Sequence, residues 1–366
     1  MENLKYIADK FNVDGEIANI SSFGSGHINN TYKVETKSKK TPDYILQAIN
    51  NNVFKNITDL SDNLIRITTH LRTKLGVYYS DKELKRRVLT IVYTKDKKAF
   101  LEDDKGNFWR MFTFIDNSKT IDKLENTEQA ESMGFAYGDF QQMLSDLPKP
   151  PLNDVLPDFH NTAKRIEQFK ETIANNPVNR LSEVMEEIDF LLMHEQEMKS
   201  IVEKAYRGII PLRTVHQDTK LSNILFDEKN DKALCVIDLD TVMPGYLCYD
   251  FGDSVRGGMN TGAEDDEDLE RVSLNMDMFK SFALGYFSAT KAFIDFEEIK
   301  TLAFGAKLIT YEQSLRFLED YINGDKYYSV HKPKHNLIRT RAQIALLKDI
   351  MLNFDEMENY VLTLYS

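Results

Sequence analysis

The sequence predicts an α+β protein of two lobes, with a small N-terminal lobe rich in strands and a larger, mostly helical C-terminal lobe. With 366 residues, the chain exceeds the length at which a single hydrophobic core keeps growing, so two lobes are expected. Short β-prone runs fill the first third, whereas apolar residues recur at helical spacing through most of the remainder. We place the lobes at residues 1–115 and 116–366.

The first lobe is predicted to hold an antiparallel meander with one long helix packed on it. β-prone runs separated by polar turns indicate strands at 17–23, 31–35, 44–47, 88–93 and 108–115. Over 58–75, apolar residues recur at the spacing of one helix face, at Leu60, Leu64, Ile67 and Leu71. Gly76 follows as the expected C-terminal stop of this helix.

The second lobe reads as helical from about residue 125 onward. Prolines break the pattern over 148–157, and long amphipathic stretches follow over 183–206. One β-hairpin interrupts the helices, with strands at 224–226 and 233–237 joined by a polar turn. The residues that flank this hairpin carry the chemistry.

Composition and charge exclude several classes of protein. The hydrophobic fraction of 42% and the charged fraction of 28% are those of an ordinary globular chain. The net charge of −12 argues against nucleic-acid partners, which are bound through Lys and Arg at phosphates. Cys235 and Cys248 form no CxxC pair and are expected as buried free thiols. Because no signal peptide or membrane-spanning stretch is evident, we expect a cytoplasmic protein without a membrane partner.

The strongest motif is HQDTKLSN at residues 216–223, which fits the pattern H-x-D-x-x-x-x-N of phosphoryl-transfer loops. In that pattern Asp218 accepts the proton of a hydroxyl group and Asn223 binds magnesium. The hairpin that follows ends at Asp238, whose carboxylate is expected to be the second magnesium ligand. One carboxylate and one amide suffice, because Mg²⁺ keeps waters and phosphate oxygens as its other ligands.

Two further residues are interpreted as structural supports. His216 is expected to order the catalytic loop by hydrogen bonds and not to react. The triplet Asp250-Phe-Gly252 is spelled like the magnesium-binding triplet of protein kinases, but it does not follow the hairpin strand directly. We therefore assign magnesium binding to Asp238 and expect Asp250 to cap or brace the segment that follows it.

Around these residues the sequence resembles the aminoglycoside phosphotransferase and choline kinase superfamily, and within it bacterial N-acetylhexosamine 1-kinases. The resemblance is carried by GSGHINNTY at 24–32, YILQ at 44–47, DTKLSN at 218–223, VIDLDTVMPG at 236–245 and YDFGD at 249–253. It implies a protein-kinase-like fold and ATP- and Mg²⁺-dependent phosphorylation of the anomeric hydroxyl of N-acetylglucosamine or N-acetylgalactosamine. By the same resemblance, Asp218 is the general base, and Asn223 and Asp238 hold magnesium.

The resemblance also implies a nucleotide site in the first lobe, where a loop over 24–30 covers the ATP phosphates. Its candidate ATP-binding residues are Gly24, Ser25, Gly26, His27, Asn29 and Gln47. Protein kinases place a Lys at the position of Gln47 and pair it with a Glu of the following helix. Here Gln47 stands in place of the Lys, and the helix over 58–75 contains no Glu. Both members of the kinase ion pair are therefore missing. The phosphates are expected to be held instead by the glycine loop, magnesium, Gln47 or a nearby cation such as Lys33.

The C-terminal segment bears on the acceptor. It is locally basic, through Arg316, His331, Lys332, Lys334, His335, Arg339 and Arg341. This charge suits a neutral sugar better than a polycationic aminoglycoside. By family resemblance, Arg316 and Tyr327 are the expected sugar contacts, since Arg can fork onto paired oxygens and Tyr offers an apolar face and a hydroxyl.

Two alternatives stay open at this point. One is a kinase of another small hydroxyl compound, such as an aminoglycoside or an amino alcohol. The other is a pseudokinase that binds a nucleotide without turnover, which the missing strand Lys suggests.

Overall fold

A computed structural model describes residues 2–24 and 28–365. The chain divides into two compact units. The first unit comprises Met1–Lys119, Asp146–Leu156 and Leu225–Met243, and the second comprises Thr120–Ser145, Pro157–Ile224 and Pro244–Ser366. The predicted boundary at 115/116 lies near the first of these breaks, but two later segments belong with the N-terminal residues. The predicted α+β class, with a β-sheet N-terminal region and a helical C-terminal part, is confirmed.

The first unit is built on an antiparallel sheet with helices beside it. Its elements in chain order are α1 (Glu2–Ala8), β1 (Ile17–Ser22), β2 (Asn30–Thr36), β3 (Tyr44–Ile49), α2 (Ile57–Leu75), α3 (Asp81–Arg87), β4 (Ile91–Val92), β5 (Leu101–Glu102), β6 (Phe108–Thr113) and β7 (Ser118–Lys119). The strand order is β1-β2-β3-β6-β4, and β5 pairs with β6. The predicted strands and the predicted long helix are therefore present, with β4 shorter than expected.

The local sequence explains the ends of α2. The Asn56 side chain accepts a hydrogen bond from the backbone N–H of Asp59 and so satisfies a free donor of the first turn. Gly76 caps the other end, as predicted, although its backbone stays right-handed. Leu60, Leu64 and the other apolar residues of one face are buried, which is the pattern of a helix packed on a core.

The second unit is mainly helical. Its helices are α4 (Thr127–Leu144), α5 (Thr162–Asn175), α6 (Met185–Met193), α7 (Glu195–Met198), α8 (Ser200–Tyr206), α9 (Leu247–Gly258), α10 (Met276–Thr290), α11 (Phe296–Ile322), α12 (His335–Leu352) and α13 (Phe354–Tyr365). The amphipathic stretch predicted over 183–206 is thus divided into three short helices.

Short strands occur around the predicted hairpin. They are β8 (Arg213–Val215), β9 (Ile224–Asp227), β10 (Ala233–Val236) and β11 (Met243–Gly245). The hairpin of β9 and β10 is confirmed, and β9 also pairs with β7. None of the helices within 2–24 and 28–365 combines the length and the apolar character needed to cross a bilayer.

Two glycines let α9 and α11 pack closely. A Cβ atom on Gly252 would lie 2.2 Å from the carbonyl oxygen of Gly305, and one on Gly305 would lie 2.0 Å from the carbonyl oxygen of Cys248. Both distances are far below van der Waals contact, so the two backbones touch where side chains would normally separate them. Gly257, near the end of α9, faces open space instead.

This contrast gives a stability prediction. Gly252→Ala should destabilise the protein by more than about 2 kcal/mol, because the added methyl group overlaps the backbone of α11. The matched control Gly257→Ala should stabilise it by roughly 0.4–1 kcal/mol, because alanine loses less conformational entropy in a helix. Chemical denaturation of both variants checks the pair, and equal effects would contradict the close packing.

Candidate active site

The predicted catalytic loop belongs to the second unit and runs from β8 to the start of β9. His216 is fully buried, and its ring packs against Tyr137 and Phe140. The Nδ1 atom of His216 accepts a hydrogen bond of 3.3 Å from the backbone N–H of Asp218. This contact holds the loop in the way expected of a supporting histidine. Gln217 has φ of 65°, a left-handed conformation that is costly for a residue other than glycine.

Asp250, in the first turn of α9, fixes this loop. Its Oδ2 atom accepts a 2.7 Å hydrogen bond from the backbone N–H of His216, and its Oδ1 atom accepts one of 2.6 Å from that of Gln217. Gln141 of α4 donates a third bond of 2.7 Å. Burial raises the pKa of Asp250, and these bonds limit the rise. Asp250 was predicted to brace the segment that follows it; it braces the catalytic loop that precedes it.

The next residues of the loop are held by α9 and α4. The Thr219 hydroxyl donates to the backbone carbonyl of Asp250 at 2.6 Å, and the Ser254 hydroxyl donates to the carbonyl of Thr219 at 3.3 Å. The Tyr137 hydroxyl donates to the carbonyl of Lys220 at 2.6 Å. Hydrogen bonds to residues of α9 and α4 therefore fix the backbone conformation of the loop.

The Asp218 carboxylate lies between two donors of its own loop. Asn223 Nδ2 donates to the Asp218 backbone carbonyl at 2.9 Å and to Oδ2 at 3.1 Å. Lys220 Nζ lies 2.9 Å from Oδ1. Burial by itself raises the pKa of Asp218, but Lys220, His216 and Asn223 together lower it below its ordinary value. Asp218 is therefore an ionised carboxylate at neutral pH, as a proton acceptor must be.

The predicted magnesium ligands belong to different units and show suitable donor chemistry. Asn223 directs its amide nitrogen at Asp218, and among the described residues nothing donates to its Oδ1 atom. Asp238 has φ of 58° and ψ of 57°, a left-handed conformation that costs energy in a residue other than glycine. Within the described part of the chain, no three or more His, Cys, Asp and Glu side chains are grouped as a metal cage. Asn223 and Asp238 each carry an oxygen donor of the hard type that Mg²⁺ prefers beside water and phosphate oxygens.

The predicted ATP-binding residues lie in the first unit. Ser25, Gly26 and His27 lie outside the described residues. Gly24 has φ of 76°, which suits a glycine turn. The Asn29 side chain donates to Asp240 Oδ2 at 2.8 Å and accepts from the backbone N–H of Asn50 at 3.0 Å. Asn29 thus ties the start of β2 to the segment after the hairpin.

The Gln47 side chain is part of the same network. Its Nε2 atom donates to the hydroxyl of Thr31 at 3.0 Å, and its Oε1 atom accepts from Nε of Arg110 at 3.0 Å. Gln47 and Arg110 are direct cross-strand partners on β3 and β6. The Arg110 guanidinium then forms a two-pronged ion pair with Asp240, through Nη1 to Oδ1 and Nη2 to Oδ2. The side chains of Arg110 and Asp240 are 5% and 4% exposed.

Arg110 and Asp240 were missed by sequence reasoning, and so was Lys220. Lys220 carried a usable signal, because it stands inside the motif two residues after Asp218. Little in the sequence points to Arg110, because its contact with Gln47 depends on the pairing of β3 with β6. The predicted alternative Lys33 instead forms an ion pair with Asp43 at 3.3 Å, so it is not an uncommitted cation for phosphate.

The predicted acceptor residues are neighbours at the end of α11. The Arg316 guanidinium lies over the rings of Phe159 and Tyr328, at 5.7 and 5.6 Å from their centroids. The Tyr327 ring is 63% exposed and contacts Tyr328 edge to face. These aromatic surfaces with one guanidinium can bind a ligand that has both apolar faces and oxygen acceptors.

Asp320 fixes the loop that carries Tyr327. Its carboxylate accepts hydrogen bonds from the backbone N–H groups of Lys326, Tyr327 and Tyr328 at 2.8 to 3.0 Å. Asn336 of α12 donates to the same carboxylate at 2.9 Å. The tyrosines are therefore presented by an ordered loop.

Glu312 connects this region to the catalytic loop. It is buried, and its carboxylate contacts His160 at 2.8 Å and Arg165 at 3.0 Å. Burial raises the pKa of Glu312, but His160, Arg165 and Arg316 outweigh it and lower the pKa to about 2. The other ring nitrogen of His160 lies 3.4 Å from the backbone carbonyl of Gln217. A polar path thus joins Arg165, through Glu312 and His160, to the residue before Asp218.

The charge argument based on the C-terminal segment needs correction. Four of its basic side chains contact carboxylates of the same unit: His335 with Asp265, Lys332 with Glu267, Lys334 with Glu183 and Arg341 with Glu187. These pairs neutralise most of the local charge, which the linear sequence could not reveal. The segment therefore does not by itself disfavour a cationic acceptor.

Comparison with solved structures shows the fold at low sequence identity. A microcompartment-associated aminopropanol kinase is 14% identical, with a TM-score of 0.64 and coverage of 98% of each chain. An aminoglycoside phosphotransferase from Alicyclobacillus acidocaldarius subsp. acidocaldarius is 11% identical, with a TM-score of 0.60 and coverage of 98% of this chain and 96% of that one. An amicoumacin kinase in complex with AMP-PNP, Ca²⁺ and its ligand is 10% identical, with a TM-score of 0.61 and coverage of 98% and 93%.

The model of one protein family, APH, described as a phosphotransferase enzyme family, matches residues 19–282 of this chain. This match spans most of the chain and includes the catalytic loop, the hairpin and the segment that carries Asp250. With the geometry of the loop around Asp218, it shows that the chain belongs to the APH phosphotransferase enzyme family.

Proposed function

We propose that this phosphotransferase transfers the γ-phosphoryl group of ATP to the anomeric hydroxyl of an N-acetylhexosamine and so forms the sugar 1-phosphate. The observation that carries the proposal is the geometry of Asp218, whose carboxylate lies 2.9 Å from Lys220 Nζ and 3.1 Å from Asn223 Nδ2 within the catalytic loop. Family membership supports the phosphoryl transfer. The choice of sugar rests on the chemistry of the base and of the acceptor region.

A base with a lowered pKa is a weak base. Proton transfer is most effective when the pKa values of base and acceptor hydroxyl are not far apart. The anomeric hydroxyl is more acidic than an ordinary alcohol, so it loses its proton to a weak carboxylate more readily. A hemiacetal hydroxyl is therefore a suitable nucleophile for the Asp218 carboxylate.

Asn223 and Asp238 would hold the magnesium ion, and the loop over 24–30 would cover the ATP phosphates. Magnesium, when bound, neutralises charge on the phosphate oxygens. The similar amicoumacin kinase was solved with an ATP analogue and Ca²⁺, which supports a nucleotide and a divalent cation here. Asp218 would orient the acceptor hydroxyl and take its proton during transfer.

Arg316 and Tyr327 would bind the sugar. The exposed Tyr327 ring offers a flat apolar face, and the Arg316 guanidinium offers several N–H donors for ring hydroxyl or acetamide oxygens. Because Asp320 holds the Tyr327 loop, little ordering is required when the ligand binds.

A second candidate is a kinase of an amine-bearing alcohol. The neutralised C-terminal segment leaves room for a cationic acceptor, and one of the similar structures is an aminopropanol kinase. The two candidates share Asp218 and the magnesium ligands and differ only in the acceptor.

The first prediction concerns the acceptor. Purified protein with ATP and Mg²⁺ should release ADP faster with N-acetylglucosamine or N-acetylgalactosamine than with kanamycin, choline, 1-amino-2-propanol or no acceptor. Asp218→Asn should lower this turnover at least about 100-fold, because the general base is lost. Asp122→Asn, a change at an exposed aspartate of the same unit, is the matched control.

The outcomes separate the candidates. Turnover with an amine-bearing alcohol alone would retain the mechanism and replace the substrate class. Nucleotide binding without turnover on any acceptor would indicate a pseudokinase and overturn the proposal.

The second prediction concerns pH. Because the pKa of Asp218 lies below its ordinary value, kcat/KM should stay constant as the pH falls through the ordinary range of aspartate pKa values and should drop only when Asp218 becomes protonated. Lys220→Met removes the main group that lowers this pKa, so the acid limb should move to higher pH. A pH profile of kcat/KM for both proteins measures the shift. An unmoved limb would show that Asp218 is not the titrating base.

The third prediction concerns the sugar contacts. Arg316→Lys should raise KM for the sugar about tenfold while leaving KM for ATP unchanged, because lysine cannot reproduce the planar fork of arginine. Arg341→Met, which removes a half-exposed arginine of the neutralised segment, should change neither constant. Initial-rate kinetics test both variants. A matching rise in KM for ATP would place Arg316 outside the acceptor site.

A further inference from the structure

We propose that the buried Arg110–Asp240 pair, which lies beside the strand position where the kinase Lys is missing, positions the magnesium ligand Asp238. The inference rests on the proposed function, since it concerns the binding of Mg²⁺ and ATP. It gives Arg110 and Asp240 a role in positioning and assigns them no direct contact with phosphate.

The guanidinium of Arg110 lies beside the strand position where kinases carry a Lys. At the strand position where kinases carry Lys, this chain has Gln47. The guanidinium of Arg110 lies directly across the strand pair from it and donates through Nε to Gln47 Oε1 at 3.0 Å. The cation absent from β3 is thus supplied by β6, one strand away.

The carboxylate of Asp240 lies close to Asp238 in the chain. Asp240 lies two residues after Asp238, in the single 3₁₀ turn Leu239–Thr241 that Asp238 begins. Its two oxygens receive both prongs of Arg110 and the side-chain amide of Asn29. A residue so close to Asp238 cannot be fixed without restricting Asp238 too, and the left-handed backbone of Asp238 needs such support.

The guanidinium of Arg110 already has hydrogen-bond partners within the protein. Three of its nitrogens donate to Gln47 and Asp240, and its side chain is only 5% exposed. The charge of Asp240 balances that of Arg110 within a buried pair. A side chain that binds phosphate directly needs uncommitted donors and access to the ligand. The geometry therefore favours positioning.

Binding of a fluorescent ATP analogue by the full-length protein tests the inference without turnover, in excess EDTA and over a Mg²⁺ titration. Arg110→Gln and Asp240→Asn should each raise the Mg²⁺ concentration at half-saturation about tenfold or more, while metal-free nucleotide affinity changes less than about twofold. The double variant R110Q/D240N should be no worse than the poorer single variant, since both changes disrupt one device.

Thermal melting of every variant checks that it is folded. Removal of one partner leaves a buried charge unpaired, so a single variant that fails to fold is replaced by the double variant, in which neither charge remains. Asn29→Ala removes only the third bond to Asp240 and should shift the Mg²⁺ requirement in the same direction by a smaller factor.

Several outcomes would overturn the inference. If Arg110→Gln and Asp240→Asn leave the Mg²⁺ requirement unchanged, the Arg110–Asp240 pair has only a structural role and does not position Asp238. Loss of metal-free affinity in Arg110→Gln, with Asp240→Asn unaffected, would make Arg110 a phosphate ligand. Wild-type protein that binds no nucleotide under any condition would overturn the proposed function together with this inference, whereas wild-type binding with insensitive variants would overturn the inference alone.

Discussion

The second unit depends on one buried carboxylate, that of Asp250. Its oxygens accept two consecutive backbone N–H groups of the catalytic loop and one amide of α4. Because a buried carboxylate without partners is costly, the loop and α4 must stay in place for Asp250 to be satisfied. Asp250 in turn is held by α9, which packs on α11 through Gly252 and Gly305. The literal triplet Asp250-Phe-Gly252 is thus a structural joint, with Phe251 buried among Phe279, Phe282 and Tyr286.

The first unit uses the same physical device with different residues. There the buried carboxylate is Asp240, and its partners are Arg110 and Asn29. In each unit a carboxylate away from the reacting groups fixes a strained segment, which contains Gln217 and Asp218 in one case and Asp238 in the other. Fixed segments of this kind serve phosphoryl transfer, in which proteins contribute mainly position and charge.

The sequence identifies candidate site residues where their pattern is local. Asp218 and Asn223 stand in one short motif, and Asp238 ends a hairpin that turn residues and apolar runs made visible. Long-range pairings were not accessible. Arg110 and Asp240 are 130 residues apart in the chain, and their contact requires the β3–β6 pairing, which periodicity does not specify. For the same reason, the C-terminal segment looked basic in sequence, although carboxylates from other helices and loops neutralise it.

The most direct test of the account is the position of the transferred phosphate, measured by proton-coupled phosphorus NMR of the product from ATP and N-acetylglucosamine. We expect a sugar phosphate whose signal is split by a single anomeric proton, because Asp218 is proposed to take its proton from the anomeric hydroxyl. A signal split equally by the paired protons of a primary carbinol would contradict it, and so would the absence of any sugar phosphate.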